Sequence, residues 1–376
     1  MKMHAPNTYA ISKYQGKKQM PRNGLGNNIN KWEQLILSET VEVVGCTEPA
    51  AIAFAYAKIN QYLTEKLDPQ KIKAQLFLSS DVFRNASTAG IPAINKTGIA
   101  PAVALGIFSN NPELNLFAKI TKNQLSDALK LLKRKNWLAI IRQKRKGIFI
   151  KARIITPEGT YESIINQKHN NLVSVRCGNR LIFRGSEQKN HRIKTLNEIR
   201  NIVRLRNNKL ETMAENILLK NGRESEKIKH NSYMDTVYEL IKKRMEGKWL
   251  KIVTIAGSGN QGIFLSIPFY YLYKKSGKQV IPAFLFSLLT LIYLAQKKGK
   301  LGKRCGLSTK AAPALIAGFA FMKNKSPAEI AKKMKLAEEY TREFLCEGAE
   351  KVCADKSYVC LASVKKIQSD KILDKF

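Results

Sequence analysis

Cysteine is scarce in this sequence, with six residues among 376. A chain of this length can bury a sizeable hydrophobic core, and six cysteines are too few for a disulfide-stabilised scaffold. No CxxC pair, which would favour a zinc site, is present. We therefore predict a cytoplasmic protein in a reducing compartment, where free thiols serve as metal ligands or nucleophiles more often than as bridges.

Acidic residues are also scarce. The chain has 65 lysine and arginine residues against 29 aspartate and glutamate residues, a formal net charge of +36. This charge suits a nucleic-acid partner, because clustered cations release counterions from the phosphate backbone. The basic residues are nevertheless spread over the whole length, and no zinc-finger or aromatic RNA-binding signature accompanies them. A compositional bias toward lysine is the simpler explanation, so nucleic acid is not the leading partner.

Long hydrophobic runs are missing as well. The most apolar run, residues 280–295, is shorter than the ~20 residues that a membrane-spanning helix needs. It predicts a buried core helix and no membrane partner. Residues 1–30 lack the apolar core of a secretory signal, and we predict a flexible N-terminal extension there.

Helical spacing of apolar residues marks two parts of the chain. In residues 31–67 a helical pattern stops at Gly45, and a second helix has Pro49 in its first turn. Residues 195–376 are mainly helical, and Ser326 is the expected cap of one helix, with a glutamate three residues later completing a capping box.

The part between them has a different pattern. Residues 68–194 contain alternating, β-rich runs with turns at residues 157–159 and 178–179, together with two helical segments. We therefore predict an α+β fold, in which a helical domain (195–376, joined by the helices of 31–67) carries an inserted α+β subdomain (68–194).

Cys46 lies in the stretch Val-Gly-Cys-Thr-Glu-Pro-Ala, at a predicted helix start. Backbone N–H groups at a helix N-terminus favour an anion, so we expect a lowered thiol pKa and a larger thiolate fraction. Such a cysteine can act as a base or a nucleophile. The alternative is a buried structural thiol near a turn.

A glycine-rich turn, Ala-Gly-Ser-Gly-Asn-Gln-Gly-Ile at residues 256–263, precedes an apolar helix. Glycine lets a ligand approach the backbone closely, and such a turn can form a nest of N–H groups for a carboxylate or a phosphate. The stretch matches neither the Walker A nor the GxGxxG pattern. An ordinary loop before a helix is the alternative.

The C-terminal cysteines are Cys346, Cys353 and Cys360, spaced seven residues apart. In a continuous helix this spacing is a rise of about 10.5 Å, too far for comfortable ligation of one small cluster. Gly348 can end a helix so that the chain turns back. A ligand role for Cys346 and Cys353, together with the distant Cys305, therefore predicts a break near Gly348, whereas a stripe of buried thiols predicts a straight helix.

These motifs together resemble the L-cysteine desulfidase family. Gly-Cys-Thr-Glu-Pro, Ala-Gly-Ser-Gly-Asn-Gln-Gly and the set Cys305, Cys346 and Cys353 follow one another in the family's order and separations, from about residue 39 to residue 356. That family is related to the alpha chain of iron–sulfur-dependent L-serine dehydratases. The resemblance implies a PLP-independent lyase that eliminates sulfide from L-cysteine, leaving ammonia and pyruvate, or that deaminates L-serine. It is also compatible with assembly of the chain into a homo-oligomer.

The resemblance assigns roles residue by residue. Cys305, Cys346 and Cys353 would ligate a [4Fe–4S] cluster that leaves one iron open to substrate. Cys46 would be the base that takes the α-proton of the amino acid. The implied substrate-binding residues are Thr47, Glu48, Asn85, His169, Ser258, Gly259, Asn260 and Gln261.

Some positions depart from the family pattern. Lys242 stands where the family carries an acidic residue, just before the matching Arg244, and several dozen residues upstream of the 256–263 turn are missing. If that acidic residue contacts the substrate ammonium, the reversed charge weakens binding. A catalytically inactive descendant is therefore one alternative to an active lyase, and a basic nucleic-acid-binding protein is another. Cys177 and Cys360 match no family role.

Overall fold

The structure, a computed structural model, describes residues 22–63, 67–157, 159–186, 191–228, 230 and 232–368. Residues 1–21, the larger part of the predicted N-terminal extension, lie outside the described residues. The elements, in chain order, are α1 (Arg22–Glu39), β1 (Glu42–Val44), α2 (Thr47–Asn60), β2 (Lys73–Ser79), α3 (Ser80–Ser87), β3 (Gly90–Ile91), β4 (Lys96–Thr97), α4 (Ile99–Phe108), α5 (Lys122–Leu132), β5 (Leu138–Gln143), β6 (Phe149–Thr156), β7 (Gly159–Asn166), β8 (Leu172–Cys177), β9 (Arg180–Arg184), α6 (Leu196–Arg204), α7 (Asn208–Glu226), α8 (Tyr233–Met245), β10 (Lys251–Val253), α9 (Gly259–Ser276), α10 (Ile281–Lys298), α11 (Ala312–Met322), α12 (Pro327–Glu339) and α13 (Val352–Gln368).

A six-stranded sheet runs in the order β5-β2-β6-β7-β8-β9. Its neighbouring strands are antiparallel except β2 and β5, which are parallel. Each of the two predicted turns lies between paired antiparallel strands, since β6 pairs with β7 up to Thr156 and Gly159, and β8 pairs with β9 up to Cys177 and Arg180. The α+β class predicted from the sequence is therefore correct.

Helix α2 packs against this sheet, and α4 packs against α2. Ser163 on β7 donates a hydrogen bond of 2.7 Å to the carbonyl of Ala55 in α2. Gly106 lets α4 approach α2 closely, because a Cβ at this position would lie 2.4 Å from the Ala53 carbonyl oxygen. We call this unit, with inward-facing residues such as Leu76 and Ile150, the sheet core.

Helices α1 and α6–α13 form the helical core. At its centre, the Phe269 ring packs against Phe284 and Phe319, with centroid separations of 5.6 and 5.0 Å. The segment Gly259–Lys298 has the length and apolar composition of a membrane span, but 83% of its most apolar window is buried inside the protein. Its second half is α10, so the apolar run at residues 280–295 is a core helix, as predicted.

Two expectations about the first helices are corrected. The helix expected to reach Gly45 ends at Glu39, because the β-branched residues that follow pair with β10 as β1. Helix α1 begins at Arg22, inside the expected extension, and its Ile29 packs against the helical core.

The segment 31–67 is divided between the two cores. Trp32 on α1 is buried in the helical core, whereas Ile52 on α2 is buried in the sheet core. The two cores meet along β1 and the start of α2, since Val43 is buried in the sheet core and Cys46 in the helical core. We refer to the zone between the cores as the seam.

Candidate active site at the seam

A cavity of about 100 Å³ lies at the seam. It is lined by eleven of the twelve site residues predicted from the sequence. The twelfth, Gly259, is the first residue of α9 and packs against the Arg244 guanidinium, another lining residue. The eleven are Cys46, Thr47, Glu48, Asn85, His169, Ser258, Asn260, Gln261, Cys305, Cys346 and Cys353.

The chain break predicted near Gly348 is present. Gly348 has a φ of +137° and α13 begins only at Val352, so Cys346 precedes this helix and Cys353 lies in its first turn. A straight helical stripe of thiols is therefore excluded. Cys360 is fully buried on α13, away from the cavity lining.

Two strand-like segments bring Cys305 beside Cys346. Arg304 and Leu345 form an isolated antiparallel bridge. On either side of it the Cys305 N–H donates to the Phe344 carbonyl and the Cys346 N–H donates to the Lys303 carbonyl, both at 2.8 Å. This pairing explains how residues 41 positions apart in the sequence line the same wall.

Burial controls the protonation of these thiols. It raises the pKa of Cys353 to about 12 and also raises the pKa of Cys305. The charges that the Cys305 and Cys346 thiols would carry further raise the pKa of Cys353. Closely spaced buried thiols remain protonated until a cation replaces their protons, as metal ligands do.

The expected lowering of the Cys46 pKa is wrong. Cys46 stands at the N-cap of α2, after a turn in which Gly45 has a φ of +79°. Burial nevertheless raises the pKa of the Cys46 thiol to about 11, against the opposing charge of Arg244. Desolvation of the thiolate therefore outweighs the favourable helix terminus.

Among the described residues, no group of three or more His, Cys, Asp or Glu side chains is placed to hold a single metal ion. The donor set fits an iron–sulfur cluster better. In a cluster each cysteine binds a different iron, so its ligands surround a volume instead of meeting at one point. Cys305, Cys346 and Cys353 line one cavity, which is compatible with such an arrangement.

The sheet core contributes a group of polar side chains to the cavity lining. The Nε2 atom of His169 lies 3.6 Å from Oε1 of Glu48, whose Oε2 accepts a hydrogen bond of 3.1 Å from the Thr47 hydroxyl. Burial favours the neutral carboxyl group, but His169 and Arg244 together hold the pKa of Glu48 below its ordinary value. Asn85 is 3.5 Å from the Cys346 sulfur through its Oδ1 atom.

Several cations of the cavity wall were missed by the sequence reasoning. Lys310 is 5% exposed and donates to the carbonyl groups of Gly299 and Lys300, at 2.9 and 2.7 Å. Burial lowers its pKa to about 8. A lysine within the apolar helical segment Leu307–Met322 was the available signal, because a charged residue in such a run requires a special environment.

The comparisons with known proteins identify the family of this chain. The family model for the serine dehydratase alpha chain matches residues 111–371, and the chain belongs to that family. A UPF0597 protein of Alkaliphilus oremlandii is 25% identical over 356 residues, covering 85% of this chain and 82% of the relative. The UPF0597 protein BF3560 of Bacteroides fragilis is 26% identical, covering 86% of this chain and 83% of the relative. These names state no activity, so the family suggests a lyase without specifying its substrate.

Proposed function

We propose that this protein is a PLP-independent lyase of the cytoplasm that eliminates sulfide from L-cysteine, producing ammonia and pyruvate, or that deaminates L-serine by the same route. The supporting observation is that Cys305, Cys346 and Cys353 line one cavity with Cys46 and the 258–261 turn. Membership of the serine dehydratase alpha chain family supports the reaction class.

The three cysteines would hold a [4Fe–4S] cluster, which when bound supplies a Lewis-acidic iron that activates the leaving group. Lys310 supports this assignment, because its ammonium group interacts electrostatically with the Cys305 and Cys346 thiols. A buried cation there offsets the negative charge that thiolate ligands bring into a low-dielectric site.

Cys46 is the base in this proposal, and its Sγ atom takes the α-proton. At neutral pH the resting thiol keeps its proton, because burial raises its pKa to about 11. The nearby Arg244 charge stabilises the thiolate. A thiolate with this pKa is a strong base when it forms, although its population is small.

The experiment is a turnover assay under anaerobic conditions. We expect sulfide and pyruvate in equal amounts from L-cysteine, and a loss of roughly 100-fold or more in rate for Cys46→Ala, the effect of removing a general base. Cys177→Ala, on the outer part of the sheet, should keep full activity. Equal rates for both variants would exclude Cys46 as the base.

L-Serine provides the second arm of the assay. Pyruvate and ammonia from L-serine without sulfide from L-cysteine would assign the dehydratase activity instead. No turnover of either amino acid by iron-loaded protein would favour the inactive-descendant alternative. Lys242, the position of reversed charge, lies on α8 outside the residues that line the cavity, which favours an active enzyme.

A further inference from the structure

Arg244 is a buried cation with unused hydrogen-bond donors. It lies in the last turn of α8, is 3% exposed and lines the cavity. Its Nη1 atom donates to Oδ1 of Asn260 at 2.7 Å, whereas Nε and Nη2 have no hydrogen-bond partner among the described residues. Burying such donors unpaired is costly, so the site is built for an acceptor that arrives with a ligand.

The start of α9 lies beside these donors and fixes the position of the guanidinium group. Gly259 packs directly against the guanidinium group, since a Cβ there would lie 2.6 Å from Nε and 2.7 Å from Nη2 of Arg244. Any larger residue would push the arginine away. The N-terminus of α9, an 18-residue helix capped by Ser258, adds its positive dipole to the same place.

Glu48 provides the opposite charge. It is the acidic residue among the described residues that line the cavity, and it is 8% exposed. Its carboxylate pairs with His169 and not with Arg244, although it senses the Arg244 charge. The cavity therefore contains one buried carboxylate and one buried guanidinium that do not neutralise each other.

We infer that Arg244 and Glu48 form a two-point site for the zwitterionic part of an α-amino acid, in which Nε and Nη2 of Arg244 bind the α-carboxylate and the Glu48 carboxylate binds the α-ammonium group. Guanidinium groups bind carboxylates through two parallel hydrogen bonds, which fixes the orientation of the ligand. This inference rests on the proposed function. It assigns ammonium binding to Glu48 instead of the position of Lys242, where the family carries an acidic residue. It also restricts the substrate to compounds that carry both charged groups.

The test uses three compounds with related skeletons that cannot undergo elimination. L-Alanine carries both groups, propionate lacks the ammonium group, and ethylamine lacks the carboxylate. Isothermal titration of the full-length protein should show that L-alanine binds more tightly than either of the others. Because none of the three has a leaving group, the result does not depend on whether the protein is a lyase.

The two variants should then separate the ligands. Arg244→Gln should weaken L-alanine and propionate by about 10- to 100-fold, the effect of losing charge-assisted hydrogen bonds, and should leave ethylamine unchanged. Glu48→Gln should weaken L-alanine and ethylamine and leave propionate unchanged. Unchanged binding of ethylamine by Arg244→Gln, and of propionate by Glu48→Gln, also shows that each variant is folded. Arg244→Lys, which keeps the charge without the two-bond geometry, should give an intermediate loss.

Lys242→Gln is the matched control, because it removes a cation from the same helix outside the cavity lining. It should bind all three ligands as the wild type does. Equal losses for all three ligands in Arg244→Gln, L-alanine binding that is unaffected by Arg244→Gln, or no L-alanine binding by the wild type would each overturn the inference. If one of these results is found while the wild type is an active lyase, the proposed function stands and the substrate α-carboxylate binds away from Arg244.

Discussion

The sheet core and the helical core contribute to the cavity in different ways. The sheet core contributes Glu48 at the start of α2, Asn85 on α3 and His169 in the β7–β8 connection. The helical core supplies the residues with the strongest chemistry, namely the three cysteines and Arg244. Neither core alone contains a complete site, so the chemistry depends on how the cores are held together at the seam.

Several of the contacts across the seam are polar or very close. Arg84 on α3 donates to the Gly302 carbonyl at 2.9 Å. Glu39, at the end of α1, pairs with Lys168 from the sheet core at 3.1 Å and with Lys300. A substitution at the seam should therefore weaken ligand binding at the cavity more than a substitution elsewhere that costs the same stability. The following predictions test that difference.

Glu39→Gln should have the largest effect. Glu39 is 4% exposed and its two partners are largely buried, so the variant removes a negative charge that two buried ammonium groups share. We expect a loss of about 3–5 kcal/mol in the free energy of unfolding, measured with urea. Glu42→Gln is the control, because its partners Lys220 and Lys251 are more than half exposed, and its loss should be about 0–1 kcal/mol. Similar losses would contradict the role of Glu39 at the seam.

Lys310→Met should change how stability depends on pH in the protein without iron. Burial lowers the pKa of Lys310 from 10.5 to about 8. Between these pH values the unfolded chain binds more protons than the folded protein, so this lysine makes stability rise as pH increases. Relative to the variant, the wild type should gain up to about 3 kcal/mol across the window. Parallel pH profiles from urea unfolding would refute this.

Gly90→Ala should damage the seam directly. A Cβ at Gly90 would lie 2.4 Å from the Gly247 nitrogen, in the helical core, and overpacking of this kind costs about 1–3 kcal/mol. Gly106→Ala makes the same change inside the sheet core, 2.4 Å from the Ala53 carbonyl oxygen. Both variants should be destabilised, but only Gly90→Ala should also weaken L-alanine binding. Equal effects on binding would mean that the seam has no special role.

Ser326→Ala should have the smallest effect. The Ser326 side chain and Glu329 form a capping box at the start of α12, and neither residue lines the cavity. We expect a loss of about 1 kcal/mol with unchanged L-alanine binding, whereas Ser326→Thr should retain most of the stability. A binding defect in Ser326→Ala would show that any loss of stability reaches the site, and would remove the distinction between the regions.

Local signals predicted the fold well where the stabilising contacts are also local. The turns at residues 157–159 and 178–179, the capping box at Ser326 and the break at Gly348 each depend on a few neighbouring residues. Strand β5 was missed because its partner β2 lies far away in the chain and their pairing is parallel. The end of α1 was missed for the same reason, since β1 exists only through its pairing with β10.

The cavity residues were predicted from motifs, but their electrostatics were not. The pKa of Cys46 is raised because the two cores exclude water from it, and no local sequence pattern reports that burial. Arg244 belongs to a matched segment, yet its unpaired donors become visible only when α8 and α9 are packed together. Lys310 likewise becomes a cavity residue only through the positions of Cys305 and Cys346.

The central claim is that Cys305, Cys346 and Cys353 act together as ligands of one iron–sulfur cluster. Its most direct test is the iron and acid-labile sulfide content of protein reconstituted without oxygen, for the wild type, for Cys305→Ser and for Cys360→Ser. We predict about four iron atoms per chain in the wild type and in Cys360→Ser, and almost none in Cys305→Ser. A wild type without iron, or full iron retention in Cys305→Ser, would contradict the claim.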